Sequence, residues 1–149
     1  MPGPADPASP QERGSVLILM PVAALIVVIL GALAVDATVL FLAERELAGA
    51  AAAAANDAAT RAIDLDVFYA EGRVTLDEGL AREVATASVA AKGLARSGFP
   101  VGPPDVRVVG GDQVTVTLTG QAPYVFSKAV PGGPSTATVS ATSTATAER

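Results

Sequence analysis

A single uncharged segment, Gly14 to Val35, constrains the fold of this chain more than any other feature. Its roughly 22 residues, at 1.5 Å per residue, give a helix about 33 Å long, enough to cross a ~30 Å hydrocarbon layer. Backbone polar groups in lipid must be satisfied internally, so such a span is helical despite its many Val and Ile residues. Pro21 lies about one turn into the segment and predicts a bend without a break. The sequence therefore predicts a transmembrane helix over residues 14–35.

A cleaved signal peptide is the alternative interpretation of the same segment. Ala32-Leu33-Ala34 has the small-x-small form that signal peptidase accepts, and Arg13 would supply a short basic n-region. The apolar run is longer than a usual signal-peptide core, which favours a retained anchor. Cleavage after Ala34 would instead release a small secreted binding module.

The charges that flank the segment indicate its orientation. Arg13 borders it on one side, whereas Asp36 and Glu44 lie on the other, offset by Arg45. Basic residues favour the cytoplasmic side, so the N-terminus is predicted inside and residues 36–149 outside the cytoplasm. Residues 1–13 hold four prolines and no large apolar side chain, which predicts a disordered cytoplasmic tail.

Beyond the segment, the sequence predicts an α+β domain. Leu33, Leu40, Leu47 and Ala54 recur every seven residues, as one stripe of a helix running from about Ser15 to about Ile63. A second helix is predicted over 76–96, with Thr75 and Glu78 as a capping box and with Gly98 and Pro100 ending it. Three strands follow, each predicted from alternating residues or a glycine turn: 105–109, 113–119 and 135–147, with Gly110 and Gly111 in the hairpin between the first two.

Composition argues against catalysis. The chain has no His and no Cys, which removes the commonest general base, the commonest metal ligand and any thiolate site. Asp64 and Asp66 are followed by apolar residues, so they do not continue as a calcium loop. A net charge of −5 disfavours nucleic-acid binding. We predict a non-enzymatic protein with no cofactor, metal or small-molecule substrate.

Several residues are candidates for contacts within the domain or with other proteins. Asp36 is interpreted either as a carboxylate among lipid headgroups or as the partner of a cation on a neighbouring span. The Ala-rich stretch from Ala48 to Ala59, which includes Ala51 and Ala54, is interpreted either as plain helix or as a seam for close packing with another protein. The few aromatic side chains are expected to fill the core between the second helix and the sheet: Phe68, Tyr69, Phe99, Tyr124 and Phe126.

The N-terminal part of the chain resembles the TadE/TadG-like proteins of tight-adherence (Tad, or Flp) pilus assembly. The resemblance covers roughly residues 13–62 and rests on an ordered combination of motifs: Arg13-Gly14-Ser15, an apolar span ending in Val35-Asp36, the charged Glu44-Arg45-Glu46-Leu47, and Asn56-Asp57-Ala58-Ala59. It implies a single-pass, pseudopilin-like membrane protein that supports the building or anchoring of a pilus and performs no chemistry. Its implied partners are other membrane proteins of a pilus or secretion system, or further copies of itself. Asp36, Arg45, Ala51, Ala54 and Asp57 are the candidate interaction residues.

One position departs from the prepilin pattern. Prepilin-like members are cut after a Gly and carry a Glu at the fifth position beyond the cut, and here Gly14 is followed at that position by Leu19. The difference argues against processing by a prepilin peptidase and favours the membrane-retained type.

Overall fold

The computed structural model describes residues 11–94 and 98–148, and it has a long N-terminal helix followed by a small α+β domain. The elements are α1 (Gln11–Arg61), α2 (Leu65–Glu71), α3 (Glu78–Lys92), β1 (Asp105–Val109), β2 (Gln113–Pro123), a 3-10 turn (Ser127–Ala129) and β3 (Thr136–Thr146). The predicted long helix and three-stranded antiparallel sheet are confirmed.

Helix α1 is continuous over 51 residues, about 77 Å, and passes through Pro21 without a break. It begins at Gln11, so the last three residues of the predicted disordered tail are helical. Residues 1–10 of that tail lie outside the described residues. The helix ends two residues before the predicted Ile63, which instead pairs with Leu76 in an isolated antiparallel bridge.

The sheet has the order β1-β2-β3, with β2 in the centre and antiparallel to both neighbours. Gly110 and Gly111 have φ of +67° and +85° in the turn between β1 and β2, as predicted. Strand β2 is longer than predicted, because its pairing with β3 continues through Gly120 to Pro123. Its alternate residues face the helices and are buried: Val114, Val116, Leu118, Gly120 and Ala122.

The opposite face of the sheet carries paired threonines. The hydroxyl groups of Thr115 and Thr144 lie 3.0 Å apart, and those of Thr117 and Thr142 lie 2.9 Å apart. Cross-strand hydroxyl pairs of this kind add to the pairing of antiparallel strands. The sheet therefore has one apolar face and one hydroxyl-rich face, which agrees with the predicted alternation.

The core lies between the sheet and the C-terminal half of α1, with α3 packed beside α1 and β1. On α1 the buried side chains are nearly all alanines, which lets the helix approach the sheet closely: Ala43, Leu47, Ala50, Ala51, Ala54, Ala55, Ala58 and Ala59. Ala51 and Ala54 are fully buried. The close-packing seam that we considered for another protein is occupied by the chain's own domain.

The ends of the smaller helices differ from the sequence prediction. Asp77, not Thr75, is the N-cap of α3, and its Oδ1 accepts a hydrogen bond from the Leu80 amide at 2.6 Å. Gly93, with φ of +65°, is the C-cap of α3, five residues earlier than the predicted stop. The short helix α2 was not predicted, and Asp64 caps it by accepting from the amides of Asp66 and Val67.

The prediction that the aromatic residues fill the core is wrong for most of them. Phe99 is buried, whereas Phe68, Tyr69 and Phe126 are exposed and Tyr124 is partly exposed. The Phe99 ring lies against Gly120, where a Cβ would come within 2.8 Å of it. Only glycine at that point of β2 leaves room for the ring. The other aromatics lie at exposed or partly exposed helix and loop positions, and mainly Ala, Val and Leu fill the space beneath the sheet.

Enlarging a buried alanine should destabilise the domain itself. Ala54→Leu adds bulk at a fully buried position, and we expect it to lower the free energy of unfolding by about 1 to 3 kcal/mol. Ala48→Leu is the matched control, since Ala48 is exposed on the same helix. Thermal unfolding of the detergent-solubilised chain, followed by circular dichroism, measures the difference. Equal melting temperatures for the two variants would contradict this packing.

Candidate functional site

Between Leu19 and Val35, α1 exposes large apolar side chains around its whole circumference. Leu19–Arg61 contains a strongly apolar stretch that is almost entirely exposed. By length and composition α1 can cross a membrane. The exposed side chains are Leu19, Met20, Val22, Leu25, Ile26, Val27, Val28, Ile29, Leu30, Leu33 and Val35.

The character of the helix changes at Asp36. Its side chain is 4% exposed and is the only buried charged residue among those that the structure describes. Asp36 lies on the same helical face as Ala43 and Leu47, at spacings of seven and eleven residues. It is therefore the first residue of the stripe that faces the domain.

The Asp36 carboxylate accepts four hydrogen bonds from the segment that follows β2. Oδ1 accepts from the amides of Val125 at 2.7 Å and Phe126 at 2.9 Å. Oδ2 accepts from the amide of Ser127 at 2.9 Å and from its hydroxyl at 2.5 Å. Three consecutive amides and one hydroxyl thus converge on a single carboxylate, which joins residues about 90 positions apart in the chain.

The local fold of this segment, residues 124–135, presents the amides together. We call it the β2–β3 loop. Its base is closed by the Tyr124 amide, which donates to the Ser135 carbonyl at 3.0 Å, and the 3-10 turn is closed by Ala129 donating to Phe126 at 2.9 Å. Gly133 passes so close to the Ser127 carbonyl oxygen that a Cβ there would collide with it. The path of the loop around Ser127 therefore requires glycine at position 133.

The hydrogen bonds favour the ionised form of the carboxylate. The Ser127 hydroxyl makes the largest contribution, and together with the three amides it lowers the pKa of Asp36 from 3.8 to about 2, although burial acts in the opposite direction. Because the folded-state pKa is depressed, the stabilisation from the charged form is complete above about pH 4. It is lost as the pH falls towards 2.

The surroundings of Asp36 differ from both environments that the sequence suggested. The hydrogen-bond partners of the carboxylate are amides and a hydroxyl of its own chain, which neither interpretation included. The prediction missed this contact because amide donors carry no signature in the sequence. The spacing of Asp36 with Leu40, Ala43 and Leu47 was the signal that could have placed it on the domain-facing side of the helix.

The other candidate residues are not brought together with Asp36. Arg45 is exposed on α1. Asp57 lies 21 residues, about 32 Å, beyond Asp36 along the helix and accepts a hydrogen bond from the Ser88 hydroxyl at 2.7 Å. This bond joins α1 to α3. Asp57 therefore contributes to the packing of the domain.

Among the described residues, no three metal-ligating side chains form a group that could hold an ion. Every buried side-chain nitrogen or oxygen in this part of the chain has a hydrogen-bond partner. Comparisons with protein-family models, with curated proteins and with solved structures found no match to the chain.

Asp36→Asn should loosen the β2–β3 loop. An amide keeps one acceptor oxygen but turns an NH2 group towards backbone donors, so at least one hydrogen bond is lost. We expect a lower melting temperature at pH 7 and faster hydrogen exchange at the amides of Val125, Phe126 and Ser127. Glu46→Gln, at an exposed position on the same helix, should change neither.

The effect of Asp36→Asn should depend on pH in a defined direction. The difference in melting temperature between the wild type and the variant should be constant above about pH 4 and shrink between pH 4 and about 2, as the wild-type carboxylate takes up a proton. Thermal unfolding from pH 7 to pH 2 measures it. A difference that stays constant over this range would show that the charge of Asp36 does not hold the loop.

Proposed function

We propose that this chain is a single-pass, membrane-anchored structural protein of a bacterial envelope, in which residues 14–35 span the membrane. The observation that supports the span most strongly is that α1 exposes large apolar side chains on all sides from Leu19 to Val35 and buries one stripe from Asp36 onward. A helix that is apolar all round suits lipid, whereas a one-sided stripe suits a domain in water. Asp36 separates the two regions.

The continuity of α1 supports a structural role. The same helix forms the proposed span and, beyond Asp36, one side of the domain core. No linker therefore separates the span from the domain. This rigid connection makes the orientation of the domain follow that of the span. Together with the TadE/TadG-like resemblance, this favours a non-enzymatic component of a Tad-type pilus or a related secretion system. Its partners would be other membrane proteins of that system or further copies of itself.

A secreted binding module is the second candidate function, and one observation favours it. The stripe of α1 that packs against the domain begins at Asp36, two residues beyond the possible cleavage point after Ala34. Cleavage there would leave the packing side of the domain intact, including the contact between Asp36 and the loop. Whether the apolar segment is retained or cleaved off therefore distinguishes the two candidate functions.

Membrane retention should depend on the centre of the span. Val28→Arg places a charge near the middle of residues 14–35, where insertion costs about 2.5 to 3.5 kcal/mol more. We expect this variant to be depleted from membranes washed at alkaline pH, whereas Ala48→Arg, at an exposed position beyond the span, should be retained like the wild type. A wild-type product in the culture fluid, shortened by the residues before Val35, would support the secreted module instead.

The proposed orientation places the C-terminus outside the cytoplasm. A reporter enzyme that is active only in the cytoplasm, fused after Arg149, should be inactive, and a periplasmic reporter at the same position should be active. The opposite pair of activities would reverse the topology, although it would leave the span in place.

A further inference from the structure

The β2–β3 loop carries an exposed apolar surface close to the end of the apolar segment of α1. Val125, Phe126 and Val130 are 41%, 47% and 61% exposed, respectively. These side chains do not enter the hydrophobic core of the domain. Their exposure is not caused by a loose end of chain, because the loop is closed by its own hydrogen bonds and by four more to Asp36.

The contact with Asp36 fixes the height of this surface relative to the proposed span. Asp36 is one residue, about 1.5 Å, beyond Val35, and the amides of Val125 and Phe126 are within 3 Å of its carboxylate. On each side of the hydrocarbon, the headgroup layer adds about 5 to 8 Å. The loop therefore lies at the level of that layer if residues 14–35 cross the membrane.

The charge of the loop suits a phospholipid surface. Residues 121–135 contain Lys128 and no acidic side chain, although the chain as a whole has a net charge of −5. Lys128 is exposed. A basic side chain beside exposed aromatic and aliphatic groups is the combination that binds the headgroup region, with the charge at the phosphates and the apolar groups below them.

The neighbouring surface of α1 has the same character. Residues 37–43 carry no charge, and Phe41 and Leu42 are exposed there, on the side of the helix away from Asp36. The first charged side chain beyond Asp36 is that of Glu44. Around the helix at this height, the exposed surface is thus apolar on both the loop side and the opposite side.

We propose that the β2–β3 loop is a second membrane contact of this protein, in which Val125, Phe126 and Val130 enter the lipid interface beside the anchor helix and Lys128 binds lipid phosphate groups. The inference rests on the proposed membrane span. Lipid is the occupant that the observations favour over another protein, because the patch is continuous with the proposed span and its exposed charged side chain, Lys128, can pair with lipid phosphates.

Two points of contact would restrict the movement of the domain. A lone helix in a bilayer can rotate about its axis and tilt in any direction. A loop inserted on one side fixes which face of α1 points along the membrane surface. In this arrangement the hydrogen bonds of Asp36 have a second role, since they hold the inserted loop rigidly against the helix.

The chain contains no Trp, so a single introduced indole can report its depth in the bilayer. The full-length protein is reconstituted at low density in vesicles whose lipids are brominated near the headgroup end of the acyl chain. We expect the indole introduced by Phe126→Trp to lose most of its fluorescence in these vesicles. Tyr69→Trp is the negative control, because Tyr69 is 81% exposed on α2, beyond the far end of α1. Val28→Trp is the positive control, in vesicles brominated near the bilayer centre.

The controls separate failure of this inference from failure of the proposed anchor. Quenching at position 28 without quenching at position 126 would overturn the loop contact and leave the anchor standing. No quenching at position 28 would overturn the anchor and the loop contact with it. A blue-shifted but unquenched indole at position 126 would mean that protein covers the patch, which also overturns the inference.

The role of Lys128 is tested in the same vesicles. In the Phe126→Trp background, Lys128→Gln should reduce the quenching more in vesicles with anionic lipid than in neutral ones, because only the lysine is attracted to the added charge. Lys92→Gln is the matched control, since Lys92 is exposed at the end of α3 and outside the loop. Equal effects of the two substitutions would remove Lys128 from the lipid contact.

Discussion

One helix in this protein has two kinds of surface, and the rest of the structure depends on the change from one to the other. From Leu19 to Val35, α1 exposes large apolar side chains on every side, whereas from Asp36 onward its domain-facing positions are buried and mostly small. An apolar exterior is favourable in lipid, and in water a helix needs a covered stripe. The sheet and α3 supply that cover. The domain covers the stripe of α1 beyond Asp36 that would otherwise expose apolar side chains to water.

Alanine determines how this cover is built. A helix face of alanines offers little apolar area per residue, so stability must come from close approach and from many residues in contact. The strands place Val and Leu side chains on the face that packs against α1. The Phe99 ring fits into the core because Gly120 leaves space for it. With so few large side chains in the core, specific polar contacts have more weight. The carboxylate of Asp36 with its four donors and the bond between Asp57 and Ser88 are two of them.

The sequence predicted those parts of the fold that periodicity controls. The length of α1, the period-two alternation of β2 and the glycine turn at Gly110 and Gly111 follow from local spacing and backbone preference, and the structure confirms them. The contact of Asp36 with the loop could not be predicted in this way, because its donors are backbone amides about 90 residues away. The burial of Ala51 and Ala54 was equally ambiguous, since a small side chain fits a contact with the chain's own sheet and a contact with another protein. The cap of α3 was misassigned because Thr75 and Asp77 both have suitable side chains, and only the backbone path selects Asp77.

The continuity of α1 has a mechanical consequence. From Asp36 to Arg61 the helix extends about 37 Å beyond the proposed membrane surface, with no break at which it could pivot. Transmembrane helices tilt by about 20° on average, in response to bilayer thickness and to their neighbours. For a rigid lever of this length, a tilt of about 20° moves the far end sideways by about 13 Å. If residues 14–35 span the membrane, the distal surface that carries α2 is therefore positioned by the lipid and by whatever packs against the span. Small changes of tilt within the membrane then become large displacements of that surface.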